Sequence, residues 1–134
     1  MSDTAIDVGS ADWQQRRVLA LLDEALVPGD VPKLKSFVTD DCRIVFPGFE
    51  GRGHAGVDEL MGMLDQVFDG CPTKSYDLWV HDRRAVNVHG SLFGRMADGR
   101  RMDGTRYTDT FVFDDEGRIT DWLVFNDLAL LPPA

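Results

Sequence analysis

No apolar run in this 134-residue chain approaches the ~20 residues that cross a bilayer as a helix. Neither a basic stretch nor an apolar stretch opens it, and Asp3 and Asp7 stand near its start. A secretory leader and a membrane span are therefore not expected, and the reading is cytoplasmic. Cysteine is scarce. Cys42 and Cys71 are too few for a disulfide scaffold, and both read as buried fillers in a reducing compartment. Histidine is scarce too. His54, His81 and His89 lack the spacing of a metal site on a helix or strand, so no metal is expected. Positive charge is short, with 14 Lys and Arg against 23 Asp and Glu and a net charge of −9. Such a surface repels phosphate backbones, so nucleic acid is not an expected partner. With no linker, repeat or low-complexity stretch, residues 1–134 read as one domain, 1–11 being flexible.

What is present is ordinary for a folded chain: 43% hydrophobic and 28% charged residues. Val18, Leu21, Leu22, Ala25 and Leu26 form one helical stripe within Trp13 to Val27. Pro28-Gly29 stops it, and Asp30 with Pro32 suits the start of a second, short helix carrying Leu34, Phe37 and Val38. Cys42 to Phe46 reads as a strand. A glycine-rich loop, Gly48 to Gly56, then leads into a third helix with Val57, Leu60, Met61, Leu64 and Phe68 on its stripe. From Lys74 onward the period is two. Four strands are expected at Tyr76 to His81, Arg84 to Met96, Met102 to Phe113 and Arg118 to Asp127, joined by tight turns and hence antiparallel. Helices followed by a meander give an α+β class.

Gly51-Arg52-Gly53-His54-Ala55-Gly56 matches G-x-G-x-x-G. A dinucleotide fingerprint needs that turn inside a parallel βαβ unit, and everything downstream is hairpins. It reads as a plain loop before a helix, and no cofactor is expected. Ser91 lies near His89 without a nucleophile elbow, and neither cysteine has a basic activator beside it in sequence. Covalent catalysis by serine or cysteine is therefore not expected.

The hairpin around Asp98-Gly99 carries the most information. A three-residue loop, Asp98 to Arg100, pairs Ala97 with Arg101. His89 then falls opposite Asp109, Ser91 opposite Tyr107 and Asn87 opposite Phe111, all on one face. Opposed Cβ atoms lie ~5 Å apart, within reach of a His–Asp hydrogen bond. A loop of two residues breaks this pairing. From pattern alone a solvated cross-strand ion pair is the favoured reading.

Two stretches resemble the nuclear transport factor 2-like superfamily: Gly29 to Cys42, with Phe37-Val38-Thr39-Asp40-Asp41, and Asp109-Thr110-Phe111-Val112-Phe113-Asp114-Asp115-Glu116-Gly117-Arg118-Ile119. Trp122 and Asn126-Asp127-Leu128 are similar to the ending of its SnoaL-like polyketide cyclases. The group also holds ketosteroid isomerases, limonene-epoxide hydrolases and scytalone dehydratase. The resemblance spans about Gln14 to Leu131. It implies a cone-shaped α+β fold, with three N-terminal helices packed on a curved, mostly antiparallel sheet. It also implies that Asp109 stands where the isomerases keep an oxyanion-binding acid. Catalytic groups of the relatives are replaced: Phe46 stands for the isomerase base, Leu22 for its tyrosine and Leu123 for the cyclase acid. Asn87, His89 and Val124 stand for the hydrolase Asp–Arg–Asp set.

The expected pocket is lined by Leu22, Phe46, Asn87, His89, Ser91, Phe93, Tyr107, Asp109, Phe111, Trp122, Val124 and Asn126. The expected function is cofactor-independent acid–base chemistry on a small hydrophobic molecule, by a lyase, isomerase or cyclase. In it His89 moves the proton, Asp109 orients the imidazole, and Tyr107 or Asn126 donates to an oxygen. A binding protein of the same fold without chemistry is the alternative. A homodimer is expected through the outward sheet face, read as Val86, Val88, Leu92, Thr108, Thr110, Val112, Leu123 and Phe125.

Overall fold

A computed structural model describes residues 6–133. Ser10 caps the first helix, its hydroxyl accepting from the Trp13 N–H at 3.2 Å. Helix α1 spans Ala11–Ala20 and continues as a π-helical segment, Leu21–Leu26. Val18, Leu21, Leu22 and Ala25, the residues of the expected stripe, are all buried. Of the stretch expected to be flexible, 1–5 lies outside the described residues, and Ser10 and Ala11 already belong to the capped start of α1. Asp30 caps α2, Val31–Phe37, by accepting from the Lys33 N–H at 3.1 Å.

Strand β1, Val38–Phe46, starts earlier than its apolar run suggests. It turns back at once into β2, Phe49–Arg52, which was expected to be loop. Helix α3, Gly53–Val67, follows. Among the described residues there are three α-helices, but the third comes after two strands. β1 and β2 are antiparallel neighbours, so Gly51 to Gly56 does not sit in a βαβ unit. A side chain at Gly56 would collide with the Gly51 backbone; these glycines let the β2–α3 corner close.

The remaining strands are β3, Thr73–Lys74; β4, Leu78–His81; β5, Ala85–Arg95; β6, Arg101–Phe113; and β7, Ile119–Asn126. The seven-stranded sheet runs β2-β1-β7-β6-β5-β3, with β4 also on β5. Only β1 against β7 is parallel. The α+β class holds. The helices cover the sheet face that carries Phe111, Trp122 and Val124, and the main core lies between them. Among the described residues no helix is long and apolar enough to cross a membrane.

The β5–β6 hairpin corrects the expected register. Met96 accepts and donates across Ala97-Asp98-Gly99: its N–H bonds to the Arg100 carbonyl and its carbonyl accepts from Gly99 N–H. The loop has three residues, but it sits one position earlier than expected. Moving away from it, Arg95 pairs with Arg101 and Phe93 with Asp103, and then a bulge makes Leu92 face Thr105. The extra residue is Gly104 at φ +95°, a conformation that glycine adopts without steric cost. Beyond the bulge His89 pairs with Thr108, and Asp109 pairs with Val88. One residue of slip moves a whole strand to the other face. His89 is exposed on the outer face, away from Asp109, and shares that face with half-buried Asn87, buried Ser91 and exposed Phe93. Conversely Val86, Val88 and Leu92, expected outside, are buried.

The candidate active site

The register of the β6–β7 hairpin, shifted by a bulge between Val112 and Phe113, fixes the floor of the site. Tyr107 pairs with Asn126, Asp109 with Val124 and Phe111 with Trp122. These six side chains share the inner face, because side chains alternate along a strand. Phe46 meets Trp122 edge-on at 5.5 Å, and Phe111 stacks on it from behind at 5.8 Å. Together with Leu92 of β5, Tyr107, Asp109, Trp122, Val124 and Asn126 form one wall of a cavity of about 300 Å³. Met61, Leu64 and Asp65 of α3, with Phe68 just after it, form the other wall. Phe46, Leu26 to Gly29, and Gly70 to Pro72 with Lys74 complete the lining.

Of the residues expected to line a pocket, Phe46, Tyr107, Asp109, Trp122, Val124 and Asn126 do so. Leu22 and Phe111 are core residues beside it. Asn87, His89, Ser91 and Phe93 face the other way, for the reason of register given above. Asn87 spends its amide on Thr108 and Thr110, at 2.8 and 2.6 Å.

Asp109 does have a charged partner, and it is Lys74. The Lys74 Nζ lies 2.6 Å from Asp109 Oδ2, with side chains 19% and 1% exposed. The sequence conceals this contact. Lys74 belongs to a strand of two residues, too short for a periodic signal, and pairs with Leu92. Three features aim it inward. Ser75 N–H donates to the Ser91 carbonyl at 2.9 Å. The Tyr107 hydroxyl donates to the Ser75 carbonyl at 2.7 Å. Gly90 leaves room for that carbonyl, which a Cβ there would strike. The Lys74 ammonium then sits 4.5 Å from the centre of the Tyr107 ring, where the ring face attracts a cation.

Asp109 Oδ1 and Trp122 Nε1 are both buried and find no hydrogen-bond partner among the described residues. Each such group costs about 1–3 kcal/mol relative to a satisfied one. Two residues that line the cavity thus keep an unfilled acceptor, on Asp109, and an unfilled donor, on Trp122. Tyr107 is held well above the usual phenol range by burial first and by the Asp109 charge next. Tyr76 is pushed up to about 12 by burial, and then by Asp23, Asp109 and Cys71. Both phenols are neutral donors at ordinary pH. Cys71, expected to be a buried filler, is exposed; partial burial raises its thiol, and Lys74 opposes that rise. Among the described residues no three His, Cys, Asp or Glu converge as metal ligands.

The SnoaL-like domain family matches residues 18–122. Similar solved structures include a nuclear transport factor 2-like protein of unknown function from Burkholderia pseudomallei. It is 19% identical with a TM-score of 0.73, over 86% of this chain and 91% of that one. A candidate SnoaL-like polyketide cyclase from Shewanella putrefaciens is 15% identical with a TM-score of 0.71, over 87% and 90%. An LEH-like epoxide hydrolase from M. tuberculosis is 25% identical with a TM-score of 0.64, over 85% and 82%. A search of curated proteins finds no match.

Proposed function

The chain belongs to the SnoaL-like domain family, and from that premise we propose that it catalyses cofactor-independent proton transfer on a small, neutral, hydrophobic carbonyl compound. The observation that carries this reading is the Lys74–Asp109 pair on the wall of the cavity. Asp109 Oδ2 is engaged by Lys74, and Oδ1 is left to accept a proton from the carbon beside the carbonyl. An ammonium has three donors. Those not spent on Asp109 stabilise the oxygen on which charge develops, in a setting where water competes little. Returning the proton to another atom gives an isomerisation. Expelling a leaving group gives a lyase, and attack of the carbanion within the same molecule gives a cyclisation.

The pair also favours a neutral ligand. Asp109 and Lys74 cancel each other, whereas a bound carboxylate adds a buried negative charge beside Asp109. Phe46, Met61, Leu64, Phe68 and Trp122 then supply apolar contact. A second reading, a carrier without chemistry, is favoured by Phe46, Leu22 and Leu123, which stand where relatives keep catalytic groups. One experiment separates the two: exchange of the α-protons of 2-tetralone in D₂O, followed by NMR. The wild type is expected to speed exchange over buffer, and Asp109→Asn to lose ~10²–10⁴-fold of that acceleration. Binding without any acceleration would leave the carrier.

A further inference from the structure

The chain has three lysines and eleven arginines. Lys33 and Lys35 lie on α2 and make surface pairs with Glu24 at 3.0 Å and Asp58 at 2.9 Å. Where the chain needs only charge it mostly uses guanidinium, which keeps its proton in proteins. The cation lining the cavity is instead the type that can become a neutral amine, the property that Schiff-base lysines exploit.

We propose that Lys74 captures an aldehyde or ketone as a Schiff base, with Asp109 as its proton shuttle and counter-ion. The proposal rests on the reading that the cavity is catalytic, and adds a covalent step to it. The ammonium first gives one proton to Asp109 Oδ2, 2.6 Å away. The neutral amine attacks the carbonyl carbon, and its nitrogen's excess proton and the Asp109 proton pass to the carbonyl oxygen. That oxygen leaves as water as the C=N bond forms. One cation, the ammonium, has become one cation, the iminium, and Asp109 is again a carboxylate. The ion pair therefore survives the reaction, and no unpaired charge is left in the site, which would be costly.

Two further features fit these steps. A shuttle needs one oxygen at the nitrogen and one at the departing oxygen. Asp109 Oδ2 meets Lys74, and Oδ1 is buried and uncommitted. The Tyr107 ring, 4.5 Å from the nitrogen, stabilises ammonium and iminium alike through its negative face. The iminium then acidifies the adjacent carbon, which is the position the proposed function requires to lose a proton.

The test is reductive trapping of the wild-type protein with 2-tetralone and cyanoborohydride, followed by peptide mass mapping. Lys33 and Lys35 serve as controls in the same chain. Lys74 is expected to carry the reduced tetralyl group at least about tenfold more than either. Lys74→Arg keeps a cation and donors but cannot form the adduct, and is expected to abolish α-proton exchange. Labelling of Lys74 no greater than that of Lys33 overturns the covalent step. If exchange nevertheless persists in the wild type and in Lys74→Arg, the acid–base reading stands without the Schiff base. If the wild type shows neither exchange nor trapping, both fall together.

Discussion

Replacing Lys74 by methionine removes the charge and keeps an unbranched apolar side chain of similar reach. Asp109, 1% exposed, then faces the cavity without a cation. Breaking a buried ion pair in this way costs about 3–5 kcal/mol. Lys74 keeps 19% of its side chain exposed, so solvent already screens part of the interaction and the lower end, about 3 kcal/mol, is expected. For a domain of this size that is a fall of roughly 10 °C in Tm. The double variant Lys74→Met/Asp109→Leu removes both charges and fills the site with carbon, a replacement that is often neutral or stabilising. It is expected within ~1 kcal/mol of the wild type, again because the pair repays little beyond its own desolvation. Urea unfolding of the wild type, both single variants and the double variant closes the cycle. A Lys74→Met protein as stable as the wild type, or a double variant less stable than either single one, would refute the reasoning.

Gly90→Ala should destabilise the fold by ~2 kcal/mol or more, since the new methyl meets the Ser75 carbonyl and the Tyr107 ring; thermal melting measures it, and an unchanged Tm would show that β5 has room there. With a thiol reagent at pH 8, exposed Cys71 should react in the native protein and buried Cys42 only after unfolding; two fast thiols would contradict that burial. Burial first, and then the charges of Asp121 and Asp41, push the Cys42 thiol up to about 12. Its contribution to stability is therefore complete below the unfolded value of ~8.5 and is lost as pH rises from there towards 12, by ~1.4 kcal/mol per pH unit. Cys42→Ala should accordingly flatten the decline in denaturation free energy between pH 9 and 11, and parallel curves would refute this. The outer sheet face exposes Leu78 and Phe125 at 54% and Val80 at 52%. Sedimentation is expected to give a homodimer through that face, with Phe125→Asp shifting it to monomer; a monomeric wild type at micromolar concentration would contradict it.

The elements that the sequence makes legible are those with a local signal. The stripe of Val18, Leu21, Leu22 and Ala25 and the cap at Asp30 mark helices. The resemblance places Tyr107, Asp109 and Trp122 on one face, and they do share it; the Asp114-to-Gly117 turn alone does not give this, because a register shift between Val112 and Phe113 intervenes. The hairpin before it misleads because two departures from regularity overlap. The turn sits over Ala97 to Gly99, and Gly104 adds a bulge that alternation alone does not reveal. Together they exchange His89 for Val88 opposite Asp109. Lys74 is invisible for another reason. Its contact with Asp109 joins positions 35 apart through a two-residue strand, and only the completed sheet brings them together. Asp109 thus reads correctly as a carboxylate in need of a partner, while the partner itself does not.

In the proposed function Lys74 and Asp109 serve chemistry rather than stability. The rate of 2-tetralone α-proton exchange in folded Lys74→Met/Asp109→Leu, set beside the wild-type rate, tests this most directly. A stable double variant that exchanges no faster than buffer is the predicted result. A double variant that matches the wild type would show that the cavity's chemistry, if it has one, does not run through this pair.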